Sequence, residues 1–404
     1  VKKRYAVVFV LFVLSMITYI DRACISTAKD PIARDLGLSD AAMGMVFGAF
    51  ALGYALAQIP SGWFADRAGP RVALTTVVAA WSLFTALTGA AWNYASLAVI
   101  RFLFGVGEAG AFPGSTRAFF NWLPASERGR ANGVLFSGSR IGAALAFPLL
   151  VWMLQVWQWR LSFVILGAVG IAWAAFWFFW FRDHPPVPVP VEPGFQPPQI
   201  GLRDVFGSRG MLLAMTQYFA GNFTFFICLS WMNPYLKKQY ALTDQQAAAY
   251  SMAPLLLGAG SQWITGFLVD LLFKSRLRAW SRRLPAMAGF ALSAAGLIAV
   301  TRCDTAFPAV VALTIATFGA EMTISPSWAY CTDIAGRNSG GVSAAMNMLG
   351  NIGSFVSANA FPWLYTLSGS ASAYFLAAAA LNVISIACWL GMRSTGVGRR
   401  QPAA

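Results

Sequence analysis

Stretches of about twenty apolar residues, parted by short polar segments, recur along the whole chain. They run near 5–27, 41–65, 72–91, 94–117, 131–155, 160–182, 209–235, 245–272, 284–301, 306–331, 340–366 and 371–392. A helix needs roughly 20 mostly apolar residues to cross a bilayer. The pattern therefore predicts an all-α membrane protein with twelve transmembrane helices. The first stretch follows Lys2-Lys3-Arg4 and shows no small-residue cleavage site. It reads as a retained helix, not as a signal peptide. The longest connector, 183–208, carries Pro-Pro-Val-Pro-Val-Pro at 185–190 and Pro197-Pro198. Such composition makes an extended spacer. It divides the chain into a six-helix bundle at 1–182, a Pro-rich linker at 183–208 and a second six-helix bundle at 209–404.

The two halves repeat. Gln58-x3-Gly62-x3-Asp66 in the second stretch returns as Gln262-x3-Gly266-x3-Asp270 in the eighth, 204 residues later. Gly133-Val134 and Gly142 return as Gly341-Val342 and Gly350, 208 residues later. Nearly equal spacings in corresponding helices point to two pseudo-symmetric halves. Parallel six-helix repeats are one established transporter architecture.

Charge fixes the expected orientation. With the N-terminus inside, twenty Lys and Arg fall on the cytoplasmic side, and six (Lys29, Arg34, Arg160, Lys237, Lys238, Arg302) fall on the other. The positive-inside rule then places both termini in the cytoplasm. The chain has 404 residues, 58% hydrophobic and 11% charged, a net charge of +14 and a mean hydropathy of +0.60. Soluble domains are about 25% charged, so an ordinary soluble enzyme, a disordered chain and a nucleic-acid reader are excluded. Five scattered cysteines, mostly in apolar runs, and one histidine, His184 in the connector, offer no metal site. No cofactor is expected. No H-E-x-x-H, G-x-S-x-G or nucleotide-binding G-x-x-x-x-G-K-[ST] occurs, so neither an intramembrane enzyme nor an ATP-driven pump is expected.

Ionisable residues inside the spans are expensive and are functional candidates by default. The first half holds Asp21, Arg22, Arg101, Glu108 and Arg140. At 1.5 Å per residue, Asp21 and Arg22 lie about 25 Å into their helix and Arg140 about 14 Å into its own. Arg101 and Glu108 lie about 10 and 21 Å deep on one helix face. The net charge of the five swings from +1 with both acids ionised to +3 with both protonated. Such a site can attract a carboxylate and couple its binding to protons. Simple ion pairs that hold helices together, Arg101–Glu108 and Asp21–Arg22, are the alternative. For Arg140 the alternative is neutralisation by Glu108 or Glu321.

Gly62-Trp-Phe-Ala-Asp66-Arg67-Ala-Gly69-Pro-Arg71 resembles the cytoplasmic loop motif of the major facilitator superfamily, G-x-L-A-D-R-x-G-x-R, with Phe64 in place of Leu. Gly62 would allow close helix approach, Gly69 a sharp turn, and Asp66, with Arg67 and Arg71, a conformational latch. Tyr19-Ile-Asp21-Arg22, Arg101-x6-Glu108 followed by Ala-Gly-Ala-Phe-Pro113-Gly114, and Glu127-Arg128-Gly129-Arg130-Ala131 resemble the anion:cation symporter branch, which includes galactonate, glucarate and hexuronate transporters.

The resemblance implies the major facilitator fold and a proton-coupled symporter that imports an organic anion, a sugar acid, by alternating access. Arg22 and Arg101 match carboxylate-holding arginines, and Asp21 and Glu108 match proton-carrying acids. Tyr19, Tyr54 and Arg140 would complete the first half of the site. Ser139 stands where sugar-acid members often carry Gln, which leaves a dicarboxylate or aromatic acid, or an exchanger or exporter, open. In the second half, Ser325, Ser327, Trp328 and Asn347 resemble substrate-contacting positions, with interhelical packing as the other reading for any single Ser or Asn. Glu321 is either a third proton site or a protonated, hydrogen-bonded acid. The expected partners are the anion, protons and lipid. The expected setting is a monomer in a bacterial inner membrane.

Overall fold

The computed structural model describes residues 2–186, 188–189 and 207–392, so most of the expected 183–208 linker lies outside the described residues. Among these residues, every regular element is helical. The helices are α1 Lys2–Thr27, α2 Lys29–Leu36, α3 Asp40–Thr88, α4 Tyr94–Glu108, α5 Ala111–Trp122, α6 Arg128–Val156 and α7 Trp159–Trp180. They continue as α8 Arg209–Ser230, α9 Met232–Tyr240, α10 Asp244–Phe273, α11 Arg283–Val300, α12 Ala306–Met322, α13 Ile324–Ala335, α14 Ser339–Ser368 and α15 Ser372–Gly391.

Eight helical stretches are long and apolar enough to cross a membrane, or nine if the bent pair Ala125–Ala146 and Pro148–Val156 counts as one. Two of them, Ala42–Thr88 and Ala306–Ser368, each cover two of the expected twelve segments. In α3 the two meet at Gly69, whose φ of 79° and ψ of 155° are non-helical. Glycine enters that positive-φ region without a Cβ penalty, and Pro70 follows it. Short local signals set other boundaries. Asn93 accepts from the Ser96 N–H at 2.8 Å while the Ser96 hydroxyl accepts from the Asn93 N–H at 3.1 Å, a reciprocal cap on α4.

The chain forms two compact units. The first is Val1–Leu123, Gly138–Val189 and Arg337–Ala344; the second is Pro124–Ser137, Pro190–Gly336 and Ala345–Ala404. The opening turns of α6 thus belong to the second unit and those of α14 to the first. In the first unit, Ile25, Ile32, Val46, Leu97 and Phe163 form an apolar core. In the second, Phe223, Tyr235, Phe361, Tyr374 and Phe375 do the same, with the Phe223 and Tyr374 rings stacked 5.2 Å apart. Large apolar residues also face outward, among them Phe9 at 63% exposure and Phe179 at 74%. Buried acids beside exposed phenylalanines invert the arrangement of a water-soluble chain and fit a lipid surround.

Candidate functional site

The first unit builds its site on close backbone approach. A Cβ on Gly105 of α4 would strike the Phe50 carbonyl and lie 2.8 Å from the Tyr54 N–H nitrogen of α3. A Cβ on Gly53 would strike the Phe102 carbonyl. Only glycine lets the two helices touch in this way. The contact sets Phe50 and Tyr54 against the face of α4 that carries Arg101, Phe104 and Glu108. Gly138 and Gly142 of α6 similarly abut Phe12 and Met16 of α1. That brings Arg140 over Tyr19, 5.9 Å from the ring centroid.

Asp21, Arg101 and Glu108 are 1%, 2% and 0% exposed. Arg22 forms an ion pair with Glu108 across α1 and α4. Asp21 accepts from the indole of Trp81 at 3.1 Å. Arg22 stacks on Tyr54 at 4.6 Å and Tyr19 at 4.9 Å, and Arg101 on Phe104 at 4.3 Å. In this cluster four buried polar atoms have no hydrogen-bond partner among the described residues: Arg22 Nη2, Arg101 Nε, Asp21 Oδ1 and Glu108 Oε2. Unpaired buried polar atoms are costly. Here two donors and two acceptors are left unmatched on neighbouring residues, an arrangement suited to an anion and to protons.

Tyr54 is buried and Ser139 is 1% exposed, both within this unit. Sequence reading missed Trp81, Phe50 and Phe104. Trp81 is 0% exposed and bonded to an acid. No signal in the sequence singles these three out: each reads as an ordinary aromatic in an apolar run.

In the second unit, Glu321 accepts from the Gln262 amide. Ser327 and Gln217 bond at 3.1 Å, and the Trp389 indole donates to Gln217 at 3.2 Å. The Trp328 indole donates to the Tyr218 hydroxyl at 2.8 Å, and Ser325 donates to the Gly129 carbonyl at 2.6 Å. Asn347 is 9% exposed, and its carbonyl accepts from Asn351 at 2.8 Å.

The repeated Gln-Gly-Asp spacing serves helix caps. Asp66 accepts from the Gly340 and Gly341 N–H groups at 2.9 and 2.7 Å, at the start of α14. Asp270 accepts from Gly129 and Arg130 at 2.9 and 3.0 Å, at the start of α6. A carboxylate there satisfies orphan donors and meets the positive end of the helix dipole. Gly62 and Gly266 leave room for the Gly340 and Gly129 carbonyls. These caps pair Gly129 with Gly340, an offset of 211 residues, so the 208-residue match does not hold at the helix starts. The offset of 211 recurs deeper in: Gly142 abuts the Met16 carbonyl of α1, and Gly353 the Phe219 carbonyl of α8, whereas Gly350 meets the Tyr218 and Asn222 side chains.

Of the other latch residues, Arg67 stacks on Trp63 at 3.9 Å. Arg71 donates through Nε to the Phe178 carbonyl at 2.7 Å and through its backbone N–H to Asp183 at 2.8 Å. Arg117 lies 3.6 Å from the Asp66 carboxylate. The second unit also buries Asp333 between Arg128 at 3.1 Å and Arg282 at 3.0 Å. No cluster able to hold a metal ion occurs among the described residues.

Charged residues buried inside apolar helices are what a membrane transporter requires of its pathway. The sequence model of the Major Facilitator Superfamily matches residues 11–358, and the chain belongs to that family. It is 33% identical to a probable sulfoacetate transporter of Cupriavidus necator, over 94% of this chain and 92% of that one. It is 28% identical to a hexuronate transporter of Bacillus subtilis, over 95% and 93%. It is 30% identical to a probable L-galactonate transporter of Escherichia coli, over 87% and 80%. Solved structures share the fold. The proton:xylose symporter XylE aligns with a TM-score of 0.76 at 12% identity, covering 98% of this chain and 97% of that one. The Escherichia coli fucose:proton symporter aligns with a TM-score of 0.73 at 14%, covering 95% and 98%. The protein is an integral membrane transporter of this family.

Proposed function

We propose that this transporter is a proton-coupled symporter that imports a small organic anion, a sugar acid such as an aldonate, aldarate or hexuronate, by alternating access. The observation that carries the reading is the first unit's two guanidinium groups, Arg101 buried and Arg22 partly buried, with unpaired N–H atoms, beside two buried carboxyls with unpaired oxygens. A guanidinium stays charged and binds a carboxylate through two parallel N–H bonds. In this scheme Arg22 and Arg101 hold the substrate's anionic head. Glu108 occupies Arg22 when no anion is bound. A proton on Glu108 weakens that ion pair and releases Arg22 to the substrate, and Asp21 carries a second proton. Tyr19, Tyr54, Ser139 and Arg140 line the rest of this half.

Ser325, Ser327, Trp328 and Asn347 would contact substrate hydroxyls, each adding little beside the arginines, and Glu321 would serve as a further proton site that uptake does not require. Asp66, with Gly62, Arg67, Gly69 and Arg71, would stabilise one conformation of the cycle. The architecture we assign is twelve spans in two six-helix bundles, 1–182 and 209–404, joined by the linker 183–208. It places a monomer with cytoplasmic termini in a bacterial inner membrane.

A second substrate class has its own support. Ser139 offers a smaller side chain than Gln, and the sulfoacetate transporter of Cupriavidus necator is a 33% identical relative. A short anion bearing a sulfonate therefore belongs in the test. Purified protein in proteoliposomes, under an inward proton gradient, is offered radiolabelled D-galactonate, D-glucarate, D-glucuronate and sulfoacetate. The proposal expects accumulation of at least one, abolished by a protonophore. Uptake of none, by protein that retains its fold, overturns it.

A further inference from the structure

Arg22 and Arg101 face a common problem. Each must be held in place inside the membrane-spanning part of the protein, yet each must keep N–H groups for an incoming anion. A carboxylate that held both would also occupy those groups. An aromatic face avoids the conflict. It attracts the flat face of a guanidinium and leaves the N–H edge open.

Phe50 stands where this solution requires it. Its ring centroid is 5.4 Å from the Arg22 guanidinium carbon and 5.3 Å from that of Arg101. Among the described residues it is the one ring that both guanidinium groups share. It also packs on Tyr54 at 5.7 Å and Phe104 at 5.4 Å, the rings that stack on Arg22 and Arg101 singly. The Gly105 contact described above lies against the Phe50 carbonyl itself, so its backbone is fixed to α4. Meanwhile Arg22 Nη2 and Arg101 Nε keep no acceptor.

We propose that Phe50 is a positioning residue that sets anion affinity, its ring face clamping both arginines so that their N–H edges point to one anionic head. The inference rests on the anion-symporter reading above and deepens it. It assigns part of the substrate affinity to a residue that need not touch substrate. It also predicts that the binding strength follows the electron density of one ring.

The test varies that density and leaves shape nearly alone. Phe50 is replaced in the full chain by mono-, di- and trifluorophenylalanine, and the affinity of purified protein for D-galactonate, D-glucarate, D-glucuronate and sulfoacetate is measured by calorimetry. Affinity for the bound anion is expected to fall stepwise, by about 3- to 30-fold at trifluorophenylalanine, from the usual strength of such contacts. Thermal melting should stay unchanged across the series. In proteoliposomes KM should rise at constant kcat. Phe50→Tyr should keep wild-type affinity, and Phe50→Leu should lose more than the fluorinated series does. Equal affinity throughout the fluorinated series overturns the inference and leaves the anion reading standing. Binding of no anion by the unsubstituted protein overturns both.

Discussion

The interiors of the two units are built alike and charged differently. Each unit caps a helix start with the aspartate of the same Gln-Gly-Asp spacing, Asp66 in the first and Asp270 in the second. Each uses a glycine four residues earlier to let backbones meet. Behind these caps the first unit buries Asp21, Arg101 and Glu108, with unpaired polar atoms on each. The second unit's buried ion pairs, Asp333 with Arg128 and Arg282, sit at the start of α6 beside its cap. Away from that cap, Gln217, Ser327, Trp328 and Trp389 are in hydrogen bonds with protein partners, and Glu321 is bonded to Gln262. Repetition thus preserves the scaffold, whereas among the described residues the buried arginine–carboxylate groups away from the caps are concentrated in the first unit. A buried ionic group that serves only stability is usually replaceable by apolar packing. Concentrating such groups on one side therefore points to binding rather than to support.

The contrast predicts graded effects. Removing either arginine should do most harm. Arg22→Ala and Arg101→Ala should each cut anion uptake by about 30-fold or more, since truncating a buried charged partner typically costs 2–5 kcal/mol of binding. Arg22→Ala also strips Glu108 of its partner, so detergent-solubilised protein should melt at lower temperature. Radiotracer uptake and thermal melting read the two effects separately.

Next come the caps. Asp66→Ala and Asp270→Ala should each destabilise the folded protein by about 1–2 kcal/mol, through loss of the carboxylate that accepts from two backbone N–H groups and of favourable dipole contact. Similar melting shifts would sharpen the view of one scaffold used twice, and a shift in only one variant would break it. Smaller still is Ser327→Ala, which removes one hydrogen bond to Gln217 and should cost about 1 kcal/mol, with uptake little changed. The smallest effect is assigned to Glu321→Gln. An amide can keep a hydrogen bond with Gln262, so uptake at neutral pH should stay within about threefold of wild type. A collapse of proton-driven uptake in that variant, with anion exchange retained, would make Glu321 an obligatory proton carrier and end the contrast between the units.

Much of this was legible in the sequence for definite reasons. Bilayer thickness writes itself into span length, so the apolar stretches were readable even where α3 carries two of them. The cost of burying charge makes Asp21, Arg22, Arg101 and Glu108 conspicuous in apolar runs. Partnership was not legible. Glu108 shares a helix face with Arg101 by spacing, yet its ion pair is with Arg22 on α1. Helical periodicity reports neighbours within one helix, whereas the crossing of α1, α3 and α4 decides neighbours between them. The same limit hid Trp81, Phe50 and Phe104, which look like any other aromatic until a partner helix brings a charge to them. The repeat was visible at Asp66 and Asp270, but its register at the helix starts depends on which N–H groups each carboxylate reaches.

The most direct measurement is the affinity of the transported anion for four variants of the purified protein at one pH. The account predicts that Arg22→Ala and Arg101→Ala weaken binding by about 30-fold or more, while Ser327→Ala and Glu321→Gln stay within about threefold of wild type. Near-normal affinity in both arginine variants, or losses of equal size in all four, would contradict the claim that the first unit's buried charges form the anion site.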